Sequence, residues 1–436
     1  MLKTILHQMW NQRRQNGWIF LELLVVSFFL WFVIDPIYVL TTNRAIDKGY
    51  NPDGLYVITI GSYDEAHGNY NPDMATDSLN LAAYERIIRT IRSQPEIASW
   101  FVATSWSFPN TNSWAGTQLY ADTTSVDSKK EFVSAQQYNF FTVEGSNIFQ
   151  TYGIKDARTG ADIQIPPQPE GKVFLSERLA VLLFGTNQVI GKKVYSNGES
   201  QEIAGVFSDF KHRDYEQPYP LVISTFGKME GREQMIRVYN LVIRVKPGVD
   251  AAGFKRRFEQ EVGPQLSAGN LYFDNLKDFA TLSNLYAMKS GVANKLRLQY
   301  ALTGFAILCT FLGMVGTFWI RCNARREEIG IMRSLGATQN NIVRQFLLES
   351  GLLVTVAFVI VVPFLLYLAY TNGMYTPETK ENFIPNPAYG QNCFGIHFLT
   401  VLALSYLILL LVSLVGTCIP VKRAAKIQPM EALRDE

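Results

Sequence analysis

The chain has 436 residues, 48% of them hydrophobic and 13% aromatic, and its mean hydropathy is close to zero. That is too apolar for an ordinary water-soluble enzyme and too polar for a transporter built mostly of membrane spans, so both kinds of segment must be present. A formal net charge of +2 says little about partners, and no nucleic acid is expected among them.

Residues 1–17 carry Lys3, Arg13 and Arg14 and are followed by an apolar run from Trp18 to Ile34. The run fits the roughly 17–25 residues that a helix needs to cross about 30 Å of hydrocarbon, and a first span is assigned to 18–40. A cleaved signal peptide is the competing reading. The run is longer than a usual signal core, Trp18 and Trp31 sit where interface anchors belong, and no small-x-small site follows Asp35-Pro36. An uncleaved anchor fits better.

Residues 41–298 have ordinary globular composition and length enough to bury a core. Leu55 to Ile60 alternates as a strand, and Leu81, Tyr84, Ile87, Ile88 and Ile91 put one apolar face on a helix ending near Ser93. Further strands are predicted at Lys172 to Leu175, Glu202 to Phe207 and Leu241 to Val245, with helices opening at Ser176 and covering Ala251 to Val262. Asp156 to Gln168 reads as a loop. Phe279 to Leu298 is predicted as a helix able to run on into the second span as a stalk. The domain contains none of the four cysteines, Cys309, Cys322, Cys393 and Cys418, and folds without disulfides. Gly185 to Lys193 lacks the spacing and final Ser or Thr of a phosphate loop. Asp209, His212 and Asp214 have no second His or Cys cluster beside them, so a solvated turn is expected there rather than a zinc site.

The second span is assigned to 299–320. After it comes Arg321 to Ser350, in which Glu327 and Glu328 interrupt a basic run. Gly336 supplies a left-handed helix end and Thr338 a cap for the next helix, giving a helical elbow over 321–345 at the membrane surface. Ile329, Met332 and Leu335 are expected to form an apolar stripe facing water. Such a stripe rests on lipid headgroups or receives a cytoplasmic protein; charges of both signs around it suit a protein better.

A third span at 346–370, kinked at Pro363, leads to an external loop at 371–393, a fourth span at 394–419 and a tail at 420–436. Basic residues crowd the N-terminus, the elbow and the tail, which places all three in the cytoplasm and the large domain outside. Lys295 and Arg297 are exceptions to that rule. Glu22 and Glu349 lie about one turn inside their spans, where a carboxylate can reach the interface. No charge is expected near the middle of a span, which argues against a secondary transporter. No HExxH, GxSxG or CxxC occurs. The fold class is thus an α-helical membrane protein with four transmembrane helices and a large extracytoplasmic α+β domain between the first and second.

The elbow, Arg326-Glu-Glu-Ile-Gly-Ile-Met-Arg-Ser-Leu-Gly-Ala-Thr338, resembles the REIGIxRxxGAT signature of the MacB/FtsX-type permeases of ABC transporters, which include the lipoprotein-releasing LolC and LolE. Pro420 to Ala425 and Pro429-Met-Glu-Ala-Leu-Arg434 are similar to the family's closing PxxxAAxxxPxEALR. Leu175-Ser-Glu, Leu183-Phe-Gly, Ile190-Gly-Lys and Ala204 to Phe210 resemble the MacB periplasmic core domain.

The resemblance implies an inner-membrane permease with both termini cytoplasmic and the large domain periplasmic or extracellular. It implies a second permease chain, identical or not, and a cytoplasmic ABC ATPase that binds ATP and Mg²⁺, so that no cofactor is bound by this chain. It also implies mechanotransmission, the conversion of ATP-driven closure into movement outside the membrane, for efflux or extraction of a peptide, drug or lipoprotein. A periplasmic adaptor or membrane-fusion protein is compatible with that. MacB carries its ATPase ahead of the first span, whereas this sequence starts about 17 residues before it, so a separate ATPase subunit is expected. Arg325, Glu327, Glu328, Ile329, Met332, Arg333, Gly336 and Ala337 would couple to it, with Pro429, Glu431, Ala432 and Leu433 of the tail nearby. No catalytic residue is assigned. The alternative is an FtsX-like regulator or sensor acting on a cell-wall hydrolase or signalling partner, a group whose external domains are typically much shorter.

Overall fold

A computed structural model describes residues 13–122, 132–196, 198–229, 239–375 and 394–426. The chain divides into two units, one made of the apolar helices and one spanning residues 43–292.

Among the described residues, helices over Gly17–Ala45, Val292–Ala324, Gln339–Asn372 and Phe394–Ala424 are long and apolar enough to cross a membrane. They are named α1 (Arg13–Ala45), α7 (Val292–Ala324), α9 (Gln339–Asn372) and α10 (Phe394–Ala424). Small residues bring them together. Gly416 on α10 would point a Cβ at 3.0 Å from Met314 Cβ and 3.2 Å from the Phe311 carbonyl of α7, and Gly313 faces the Glu22 carboxylate of α1. Hydroxyl pairs join α9 to α10, with Thr417 Oγ1 donating to Ser350 Oγ at 3.0 Å and Thr355 Oγ1 lying 2.9 Å from Tyr406 Oη. Asp35 of α1, buried in this unit, lies 2.7 Å from His397 Nε2 of α10 and accepts the Tyr375 backbone N–H at 2.8 Å. Both side chains lie toward the ends of their assigned spans, 18–40 and 394–419, and not near the middle.

Among the described residues, the second unit is a ten-stranded mixed sheet with helices. Its strands are β1 (Leu55–Ser62), β2 (Ile97–Thr104), β3 (Gly116–Leu119), β4 (Val133–Phe140), β5 (Lys172–Ser176), β6 (Lys193–Ser196), β7 (Glu199–Phe207), β8 (Leu221–Thr225), β9 (Tyr239–Val245) and β10 (Leu271–Asp278). They lie in the order β10-β1-β9-β2-β4-β8-β5-β7-β6, with β3 beside β4. The β4/β8 and β5/β7 pairs are parallel and the other pairs antiparallel.

The central strands are apolar on both faces because both are covered. Tyr56, Ile58, Trp100, Val102, Leu241 and Ile243 enter one core with Leu81, Tyr84, Ile87 and Ile91 of α2 (Asp77–Arg92). The alternate residues Leu55, Val57, Phe101, Ala103 and Val242 enter another with Phe149 and Tyr152 of α3 (Ile148–Tyr152). The period of two in side-chain direction sorts them. A third core forms where α4 (Glu177–Phe184) meets β5 and β7, through Leu175, Leu179, Val206 and Ala180. Ser176 caps α4 by accepting the Leu179 N–H at 3.3 Å, and Gly185 ends it in the left-handed region.

Two predicted helices are broken. The one expected over 251–262 is α-helical only in α5 (Ala251–Arg257), capped by Asp250, and continues as a π-turn through Val262 before Pro264. The expected stalk over 279–298 divides into α6 (Phe279–Lys289) and α7, because Gly291 adopts φ +78° between them.

The expected solvated turn at Asp209 to Asp214 is a correction of larger consequence. His212 and Asp214 are buried, with Lys211, Arg213 and Glu216 beside them. Burial and the neighbouring Arg213 hold the His212 imidazole well below its usual pKa, so it is neutral at physiological pH. Among the described residues no group of three or more His, Cys, Asp or Glu is arranged to hold a metal.

Candidate functional site

The elbow is built from the end of α7, the nine-residue helix α8 (Arg326–Ser334) and the start of α9. Its turn is dictated locally. Gly336 takes φ +93°, its N–H reaches the Arg333 carbonyl at 3.1 Å, and the Ala337 N–H reaches Met332 O at 3.0 Å. Thr338 then accepts the Asn341 N–H at 3.3 Å and opens α9. The position a Gly336 Cβ would take has no atom within 4 Å. Gly336→Val is therefore expected to cost roughly 1–2 kcal/mol through backbone strain alone, read as a lowered unfolding midpoint. No loss of stability would mean that the turn re-forms another way.

A single carboxylate organises the elbow. Glu349, on α9, is only 3% exposed and accepts from Arg321 Nη1 at 3.0 Å and from Arg325 Nη1 at 3.1 Å. Arg325 also grips Glu328 with two bonds, Nε to Oε2 at 2.7 Å and Nη2 to Oε1 at 3.1 Å, and its guanidinium lies 4.8 Å over the Phe346 ring. Burial works against the charge on Arg325, yet the bonds to Glu328 and the Glu349 charge hold its pKa above the ordinary value. Three helices thus meet at one ionic knot. Glu349 does not reach out to the interface as its position in the sequence suggested.

The knot turns α8 about its axis. Ile329 is 2% exposed and packs into the bundle core, and Met332 packs against that core. The expected stripe of Ile329, Met332 and Leu335 is therefore not one outward face. The outward residues are Glu327, Ile331, Ser334 and Leu335, with Ile331 51% and Leu335 83% exposed. They recur at helical spacing on the side away from Glu349. Arg333 donates to the Ala425 carbonyl at 2.5 Å, tying α8 to the end of α10, and Arg423 stacks 4.9 Å over Trp319. Gly336 is exposed and Ala337 half-buried. Pro429, Glu431, Ala432 and Leu433 lie outside the described residues. Of the residues named from the sequence, Arg325 and Glu328 are brought together in the knot, and Arg333 makes a separate tie to the end of α10. Arg321 and Glu349 were missed as members; the signal available was three charges of two signs at 321, 325 and 349, all within a turn or so of a membrane boundary.

Two family models match the chain: a MacB-like periplasmic core domain over residues 37–261 and an FtsX-like permease C-terminal domain over 300–429. Among curated relatives, the uncharacterized ABC transporter permease YknZ of Bacillus subtilis (strain 168) is 23% identical over 271 residues, 60% of this chain and 61% of that protein. The macrolide export ATP-binding/permease protein MacB of Escherichia coli (strain K12) is 26% identical over 294 residues, 66% of this chain and 42% of that protein. The chain thus spans less than two thirds of the length of either relative. The crystal structure of the periplasmic region of MacB from Actinobacillus actinomycetemcomitans aligns over 58% of this chain and 98% of that one, at 14% identity and a TM-score of 0.34. The core-domain model alone covers more than half of the sequence, and the second model covers the elbow and the last three apolar helices. The chain therefore belongs to the MacB/FtsX-type permeases of ABC transporters, with a MacB-like core domain between its first and second transmembrane helices.

Proposed function

We propose that this permease receives force from a cytoplasmic ABC ATPase at the elbow and passes it to the external domain, driving export or extraction of a peptide, drug or lipoprotein. The large domain then lies in the periplasm or outside the cell, and both termini lie in the cytoplasm with the basic flanks. ATP and Mg²⁺ belong to the ATPase subunit, and a second permease chain completes the complex. The proteins named for macrolide export among its relatives support export as the class of work.

One observation carries this reading. The Glu349 knot fixes α8 to α7 and α9, while Glu327, Ile331, Ser334 and Leu335 stand outward with apolar and charged character together. A rigid lever needs both properties: anchoring behind, and a surface that loses water on docking in front.

The test is Ile331→Asp with Leu335→Asp, assayed by binding of the purified cognate ATPase. Two central apolar anchors are worth about 2 kcal/mol each, so affinity is expected to fall more than about 100-fold. Both side chains are exposed, so the unfolding midpoint should hold. Unchanged affinity in a folded double variant removes the elbow as the docking surface.

A further inference from the structure

Between β7 and β8 runs a segment, residues 208–216, that buries Lys211, His212, Arg213, Asp214 and Glu216. Buried charges are tolerated only where partners replace the lost water, and the partners here have a pattern. One set lies where α1 ends. The Lys211 ammonium donates to the Asn43 carbonyl and, at 2.7 Å, to the Ile46 carbonyl, closing the C-terminus of that helix. Asn43 Nδ2 donates to Tyr215 O at 3.1 Å, the Lys211 N–H to Lys48 O at 2.9 Å, and Lys48 Nζ to Asp214 Oδ2 at 2.9 Å. A second set lies on α6, just before α7. Ser283 Oγ donates to Asp214 Oδ2 at 2.5 Å, and Arg213 stacks 4.8 Å over the Tyr286 ring.

The third set fixes the segment to the sheet. The Asn110 N–H donates to His212 O at 2.7 Å, while the Asn110 side chain accepts the Asp214 N–H at 3.1 Å and donates to Asp214 Oδ1 at 3.3 Å. Tyr138 Oη, from β4, lies 2.6 Å from His212 Nδ1. Asn110 does this from φ +61°, a left-handed conformation that asparagine tolerates better than most residues.

We infer that Asp214 is the clasp of the external domain: one carboxylate holds the chain leaving α1, through Lys48, and the chain approaching α7, through Ser283, in a fixed mutual position. Lys48 lies three residues beyond the end of α1, and Ser283 lies on α6, which the Gly291 turn separates from α7, so displacement of one of these two segments against the other loads this carboxylate. The use of that rigidity rests on the force-receiving role proposed above; the clasp itself does not. Hydrogen bonds to a charge suit the task because they fix register, whereas an apolar contact of the same size could slide. The electrostatics agree. Burial pushes the Asp214 carboxyl up, but Ser283, Lys48 and Asn110 outweigh it and hold the pKa below the usual range. Burial lowers Lys211 to about 8 against the pull of Asp214, so at neutral pH it still carries the proton that it donates.

Hydrogen exchange on the full-length protein in detergent tests this. Lys48→Met removes a partner on the α1 side only. It is expected to raise amide exchange at least threefold across residues 281–286 as well as around position 48, and Ser283→Ala to do the reverse at residues 46–49. Asp214→Asn should loosen both segments by tenfold or more with the sheet still protected. Exchange confined to each substituted segment would overturn the clasp. If Asp214→Asn unfolds the domain, the two single-end variants decide alone. Adding the ATPase separates the two ideas: if wild type binds none, the force-receiving role fails while the exchange data still judge the clasp.

Discussion

Glu349→Ala is expected to destabilise the folded bundle by about 3–5 kcal/mol, the range found when one partner of a buried ion pair is removed and the other charge is stranded. Here two guanidiniums lose their shared acceptor. Arg325 keeps Glu328, but Nε and Nη2 of Arg321 have no hydrogen-bond partner among the described residues, so Arg321 depends on Glu349 most. Arg321→Met placed on Glu349→Ala should therefore recover much of the loss, because it removes the stranded charge. Thermal unfolding of the detergent-purified protein gives both numbers. A single variant melting within about a degree of wild type would mean that water already reaches the knot. The ATPase-binding assay should show a loss in Glu349→Ala even in samples still folded, since α8 would no longer be held with Ile331 and Leu335 outward.

In the external domain the largest effect is expected at Gly49. It takes φ +73°, and a Cβ there would overlap the Asp209 carbonyl oxygen and the Phe210 backbone. Left-handed geometry costs an L residue roughly 1–2 kcal/mol, and forcing apart packed backbone adds about 1–3 kcal/mol. Gly49→Ala should thus lower stability by about 2–5 kcal/mol, seen as a shifted denaturant midpoint. Gly248→Ala is the control: its φ is +86° but no atom lies within 4 Å of the added Cβ, so only the strain component should appear. Equal losses at both sites would remove the close-approach argument.

Much of the architecture is legible in the sequence because hydropathy and periodicity report it directly. The apolar runs, the strand at Leu55, the helix ending near Ser93 and the Gly336 turn all follow from local rules. The direction of α8 does not. Ile329 and Met332 lie on one side of it, Ile331 and Leu335 on the other, and a helix apolar on both sides can be turned either way. Glu349, 20 residues downstream of Ile329, settles which side enters the bundle. The same limit hid the buried charges. Taken singly, Lys211, Asp214, Glu349 and Asp35 read as surface residues, because a charge is cheapest in water and its compensating partner lies far along the chain. Gly291 is different: a Ser-Gly pair was available as a helix-ending signal, and the apolar continuity around it masked the break.

The contact of Asp35 with His397 and Tyr375 acquires meaning beside the Glu349 knot. One polar rivet joins α1 to α10 and the other joins α7 to α9, each made between side chains facing one another across a helix boundary. A helix that slid lengthwise by a single residue, about 1.5 Å, would pull such a short polar contact apart, whereas a shallow tilt about the rivet would leave it nearly intact. Piston-like travel is thereby penalised and rocking is left as the cheap motion.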